Sequence, residues 1–127
     1  MNLLYIGFGG FIGSVCRYLA FQATDHLYHR YHFPFGTLAV NAAGSFLIGA
    51  ALALSLKHHG LERHSIGHLL LVTGFLGGFT TFSTFSQDNL VLIMEKQFGL
   101  FALNALLNVG LGLALVAAGY LLADRCF

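Results

Sequence analysis

Charge is what this chain has least of. Only 9% of its 127 residues are Asp, Glu, Lys or Arg, whereas 57% are hydrophobic and the mean hydropathy is +0.76. A water-soluble domain carries about 25% charged residues, so a hydrated surface cannot be assembled from this composition. The expectation is an all-α integral membrane protein. Six Lys and Arg stand against five acids with no basic run, which leaves no electrostatic footprint for nucleic acid. Cys16 and Cys126 are far apart and support neither a disulfide framework nor a metal site; small buried hydrophobes are the expectation for both. Met1-Asn2-Leu3-Leu4-Tyr5 lacks a cationic leader region, and the apolar segment it opens is longer than a signal core, so it reads as a retained first span. No nucleophile–base arrangement, phosphate loop or dinucleotide fingerprint occurs outside apolar segments, which argues against an enzyme; Gly7-Phe8-Gly9-Gly10-Phe11-Ile12-Gly13 lies inside a span.

What is abundant is long apolar segments. A spanning helix needs roughly 20 mostly apolar residues, and four windows qualify: 3–23, 35–56, 67–94 and 99–123. They form a single transmembrane domain. Three links separate them: 25–34 with three histidines, 57–65, and the short Glu95-Lys96-Gln97. The third window would reach about 42 Å as continuous helix at about 1.5 Å per residue, against a hydrocarbon core of about 30 Å. An interruption at Gly77-Gly78, within Gly77 to Thr80, accounts for the excess, and broken helices free backbone groups for an ion. An even number of spans places Lys57, Arg63 and Arg125 on one side and Arg30 and Lys96 on the other. This near balance gives almost no orientation bias, so the chain is expected to insert both ways up and to pair with itself. Gly9-xxx-Gly13, Gly74-xxx-Gly78 and Ser45-xxx-Gly49 are small-residue pairs that admit close helix contact, and a four-span chain has little interior of its own; both point to a homo-oligomer.

Polar residues inside the spans fall into stripes. Thr37, Asn41 and Ser45 share one face of the second span, and Asn104 with Asn108 repeat the four-residue step on the fourth. Gly10, Gly13, Ser14 and Arg17 share a face of the first; Thr81, Thr84 and Asp88 line the third beside Phe82 and Phe85. Hydroxyls of this kind also bond back to their own helix, asparagines also tie helices together, phenylalanines also pack, and Arg17 and Asp88 also reach for an interface. Apart from Asp88 the spans hold no carboxylate, and no histidine beyond His68 at an edge; a proton-coupled transporter needs such a group within the membrane. Amide and hydroxyl donors with one guanidinium suit an anion instead, and phenylalanine ring edges are electropositive. His26, His29 and His32, like His64 and His68, have spacings zinc uses but lie in links without cysteine; solvated histidine is the reading.

Three segments carry a resemblance across nearly the whole chain: Gly9-Gly10-Phe11-Ile12-Gly13-Ser14-Val15-Cys16-Arg17-Tyr18, Pro34-Phe35-Gly36-Thr37-Leu38-Ala39-Val40-Asn41-Ala42-Ala43-Gly44-Ser45, and Gly74-Phe75-Leu76-Gly77-Gly78-Phe79-Thr80-Thr81-Phe82-Ser83-Thr84-Phe85-Ser86. The sequence resembles the small CrcB/Fluc fluoride channels. The resemblance implies an antiparallel, dual-topology homodimer in the cell inner membrane, in contact with lipid, with two narrow fluoride pores along the subunit boundary. Asn41 would be a pore amide, Phe82 and Phe85 the rings facing fluoride, and Ser83 and Thr84 a hydroxyl track that Thr37, Asn104 and Asn108 extend. Arg17 would sit near a vestibule. Carbonyls of Gly77 and Thr80 from both copies would hold one structural sodium ion. Asp88 stands where the family usually has glutamate, and Asn104 and Asn108 where tyrosine, serine or threonine are more usual. The rival functions are a small dual-topology multidrug or cation exporter, which needs a carboxylate in the first span where this chain has none, and a non-transporting assembly protein.

Overall fold

Lipid offers the backbone no hydrogen-bond partners, so each span must close its own ladder, and runs of Leu, Ala, Val and Phe do so as helix. The protein's structure, a computed structural model, is described for residues 1–57 and 64–126; Arg63 and most of the second link lie outside them. Among the described residues, four helical segments are long and apolar enough to cross a membrane: Asn2–Tyr31, Phe35–Lys57, His68–Met94 and Phe98–Cys126. No strand occurs among the described residues. We label α1 Asn2–Tyr31, α2 Phe35–Lys57, α3 residues 68–79, α4 Phe82–Met94 and α5 Phe98–Cys126.

Helix ends differ from the hydropathy windows where water begins. α1 continues eight residues past the apolar window, because polar residues outside lipid still propagate a helix; it stops at His32, whose left-handed φ of 53° lets its N–H close on the Tyr28 carbonyl at 2.8 Å. His26 and His29 are therefore helical rather than in a link, and His29 pairs with Asp25 at 3.4 Å on an exposed face. α4 ends the same way, with Lys96 at φ 58°. At the C-terminal ends of α2 and α5, Lys57 meets the Asp124 carboxylate at 3.0 Å and also donates to the Asp124 backbone carbonyl. The cysteines depart from expectation: Cys16 is half-buried and Cys126 exposed at the tip of α5.

Two close helix pairs set the architecture: α1 on α3, and α2 on the second half of α5. Without a hydrophobic driving force between helices in lipid, dispersion contact at short range must hold them. A Cβ on Gly9 would land on the Leu70 carbonyl and one on Gly13 on the Phe75 carbonyl, while a Cβ on Gly74 would come within 3.0 Å of Gly9 Cα and one on Gly78 within 2.5 Å of the Gly10 carbonyl oxygen. Gly49 and Gly119 serve the α2–α5 pair by the same means against Val116 and Phe46. The small-residue pairs are thus used inside one chain, and their recurrence is not an argument for self-association. The outward faces are apolar: Leu3, Phe8, Leu106 and Leu113 are each more than 60% exposed, which suits lipid and not water.

The glycine pair of the third span is not where its backbone departs from helix. Gly77 and Gly78 are helical; Thr80 and Thr81 are extended, at φ −80°, ψ 159° and φ −151°, ψ 119°. Gly78 instead buys the approach to Gly10, and Thr81 restarts the helix as the N-cap of α4, its hydroxyl accepting from the Thr84 N–H at 3.1 Å.

Candidate functional site

Two extended residues at membrane depth strand several backbone groups, and the surrounding helices supply their partners. The Thr81 N–H, which would close on the Gly77 carbonyl in unbroken helix, donates to Asn41 Oδ1 at 2.9 Å. Asn41 Nδ2 returns a bond to the Thr81 carbonyl at 3.1 Å, so one amide of α2 pairs both backbone groups of Thr81. The Thr84 N–H, the ordinary helical donor to the Thr80 carbonyl, is taken by the Thr81 hydroxyl, and the Arg17 guanidinium of α1 donates to Thr80 at 3.1 Å. Thr80 Oγ1 turns back to the Leu76 carbonyl at 3.0 Å, and Gly44 leaves room for the Thr80 methyl. Arg17 thus lies against the extended segment, donating to a carbonyl whose ordinary helical donor is engaged elsewhere.

Beside this segment lies an open groove of about 390 Å³ lined by Asn41, Ser45, Gly77, Thr80, Thr81, Phe82, Phe85 and Asn108, among others. Phe82 is 78% exposed and its ring centroid lies 5.7 Å from that of Phe85, the planes tilted by 49°. A second recess of about 210 Å³ opens at the α1–α2 end, lined by Thr24, Asp25, Tyr28, Thr37, Thr84 and Asp88 among others. Thr37 donates to Asp88 Oδ2 at 2.6 Å, a short bond that orients the shorter carboxylate. The Thr81 hydroxyl, at the groove, meets Thr84 Oγ1, at the recess, at 3.0 Å. A hydroxyl pair therefore joins one hollow to the other, and both hollows are open on one side.

Behind the groove stands a row of asparagines. Asn41 Nδ2 donates to Asn108 Oδ1 at 2.9 Å; Asn108 Nδ2 donates to Asn104 Oδ1 at 2.9 Å and to the Asn104 carbonyl at 3.0 Å; Asn104 Nδ2 donates to Asn89 Oδ1 at 2.9 Å. Asn108 lies in a widened, five-residue-repeat turn of α5, Leu107–Leu111, the kind of turn found at functional positions. Asn104 is 0% exposed and lines neither hollow.

A family model described as "CrcB-like protein, Camphor Resistance (CrcB)" matches residues 4–120. The chain belongs to this family. It is 44% identical over 126 residues to a protein of Solibacter usitatus, covering 98% of this chain and 100% of that one. It is 43% identical over 121 residues to one of Campylobacter jejuni, covering 95% and 96%, and 44% identical over 115 residues to one of Elusimicrobium minutum, covering 91% and 87%. Each of these relatives is named "Fluoride-specific ion channel FluC", a name for conduction and not for catalysis. With four membrane-capable helices, the chain is a multi-pass membrane protein.

The three CrcB-like segments converge in space: Arg17 from the first, Asn41 from the second, and Thr80 with Thr81 from the third are joined by direct hydrogen bonds. Of the sequence-predicted residues, the groove brings together Asn41, Phe82, Phe85, Asn108, Gly77 and Thr80, and the recess brings together Thr37 and Thr84. Ser83 is exposed and lines neither hollow, its hydroxyl 3.3 Å from that of Thr81. Asn104 links helices rather than lining the groove. Sequence reasoning missed Asn89, and left Thr81 as one member of a stripe; an amide eight residues beyond Thr81 in an apolar span was the available signal, since such a group needs a partner.

Proposed function

We propose that two copies of this chain pair antiparallel in the cell inner membrane and let fluoride cross passively, exporting it down its electrochemical gradient and relieving fluoride toxicity. The observation that carries the reading is the groove itself: an amide, hydroxyls and two phenylalanine rings on one side of an open trough, with no carboxylate, in a chain whose relatives are named for fluoride conduction. Fluoride is small and strongly hydrated, so its water must be replaced donor by donor, each site weak enough to release the ion. Ring edges of Phe82 and Phe85, the Asn41 amide and the hydroxyls of Thr81, Thr84 and Thr37 supply such a series, with Ser83 beside it. Asp88, held by Thr37, borders the recess end of the path.

One chain leaves both hollows open, and a second copy would close them. The near balance of positive charge between the two sides favours insertion both ways up. At the centre of such a dimer the interrupted third span of each copy would present the Gly77 and Thr80 carbonyls to a structural sodium. The residues fit a hard cation: the Gly77 carbonyl has lost its usual helical donor, nothing lies within 4 Å of a Cβ built at Gly77, and the Thr80 carbonyl keeps a second lone pair beside Arg17. Bound there, sodium would supply cross-linking charge and no chemistry.

Efflux from liposomes loaded with fluoride, followed by a fluoride electrode beside a chloride control, tests the function. Fluoride flux well above chloride flux is expected. Equal fluxes refute selectivity, and no flux from either returns the chain to an assembly role.

A further inference from the structure

The direction of the asparagine row is set by backbone at both ends. The Thr81 N–H can only donate, so Asn41 must turn Oδ1 toward it and Nδ2 toward Asn108. The Asn104 carbonyl can only accept, so Asn108 must turn Nδ2 toward it and present Oδ1 to Asn41. Each Asn108 N–H is then occupied, one by the Asn104 carbonyl and one by Asn104 Oδ1. Each Asn41 N–H is occupied as well, by Asn108 Oδ1 and by the Thr81 carbonyl. Asn104, fully buried, is locked from behind by Asn89.

From this we infer that Asn108 is not an anion ligand but a built-in competitor for one: its side-chain oxygen occupies the Asn41 N–H that an entering anion would use, and Asn104 is the positioning residue that keeps that oxygen forward. The inference rests on the proposed fluoride path. An anion reaching Asn41 must displace Asn108 Oδ1, and on leaving it is replaced by the same tethered oxygen, so Asn41 is never left unpaired in a dry groove. The competitor thereby weakens the site and speeds release, which a conducting site requires. The arrangement separates two opposite expectations. An amide that donates to fluoride weakens its hold when removed; a competing acceptor strengthens it.

The test is the fluoride dependence of efflux for Asn108→Ala and for the volume-matched Asn108→Leu, with the wild type alongside. One freed donor should lower the half-saturating fluoride concentration by roughly tenfold, the worth of one anion hydrogen bond, and lower the maximal flux. Asn104→Leu should move the half-saturating concentration the same way by a smaller factor, a shift that a purely packing role would not produce. A half-saturating concentration that rises or stays unchanged in the Asn108 variants overturns the inference. Should those variants not fold, wild type labelled with ¹⁵N-asparagine decides it: added fluoride should shift the Asn41 side-chain amide protons and leave those of Asn108 in place, and the reverse pattern overturns it. A wild type that passes no fluoride overturns the underlying function and the inference with it.

Discussion

Exchanging Asn41 for aspartate isolates the electrostatics of the path from the integrity of the fold. The carboxylate keeps an oxygen for the Thr81 N–H, now 2.9 Å from Oδ1, so that backbone group stays paired. The other oxygen replaces Nδ2 and faces two acceptors, the Thr81 carbonyl and Asn108 Oδ1, formerly at 3.1 and 2.9 Å. Two hydrogen bonds worth about 1 kcal/mol each are lost. An anion passing about 4 Å from the new charge meets a repulsion of about 4 kcal/mol at an effective dielectric of about 20, or roughly a thousandfold in rate. Fluoride efflux from liposomes should therefore fall to background for Asn41→Asp while the purified protein still elutes as one species. Asn41→Ala separates the terms: it adds no charge but leaves both groups of Thr81, 6% exposed, without partners, at about 1–3 kcal/mol each, so it should lower the thermal midpoint while its loss of flux reports the missing donor without the repulsion. Flux from Asn41→Asp within tenfold of wild type would refute the reasoning and remove Asn41 from the path.

Other perturbations probe different parts of the arrangement. Phe82→Ile removes a ring that is 78% exposed beside the groove; flux should drop at least tenfold with little change in the thermal midpoint, and undiminished flux would take the ring out of the path. Arg17→Leu strands the Thr80 carbonyl and should destabilise the protein by about 1–3 kcal/mol, read as a lowered midpoint on heating in detergent; an unchanged midpoint would show that the bond contributes nothing. Gly13→Leu drives a side chain into the Phe75 carbonyl and should abolish folding, whereas Gly77→Leu meets nothing within the chain. On the proposed antiparallel pairing, the Gly77 variant should leave a helical chain that no longer elutes as a dimer, and an unchanged dimer would place the subunit boundary elsewhere.

Particular residues show where sequence reading succeeds and where it stops. The four spans and the polar character of Asn41, Thr37 and Thr84 were readable because hydropathy and side-chain chemistry belong to each residue alone. The end of α1 was not, because hydropathy marks where lipid stops and the helix continues beyond it to His32. The glycine pair shows a subtler limit. Glycine weakens a helix and also admits a neighbour, and the sequence carries both readings; the backbone of Gly10 lying against Gly78 chose the second and left the extended conformation to Thr80 and Thr81. Asn104 and Asn108 share one face and one residue type, yet only Asn108 reaches the groove.

The sequence by itself determined the solvent, the number of crossings and the chemical sign of the polar inventory: donors suited to an anion, with one carboxylate within the spans. Tertiary structure alone decided which donors face the groove and which are already engaged, because the deciding partners are distant in the chain. Thr81 finds Asn41 40 residues away, Thr80 finds Arg17 63 away, and Asn41 finds Asn108 67 away. A hydrogen bond is formed or lost within a few tenths of an ångström, and no periodicity in the sequence reports such distances until the helices are packed.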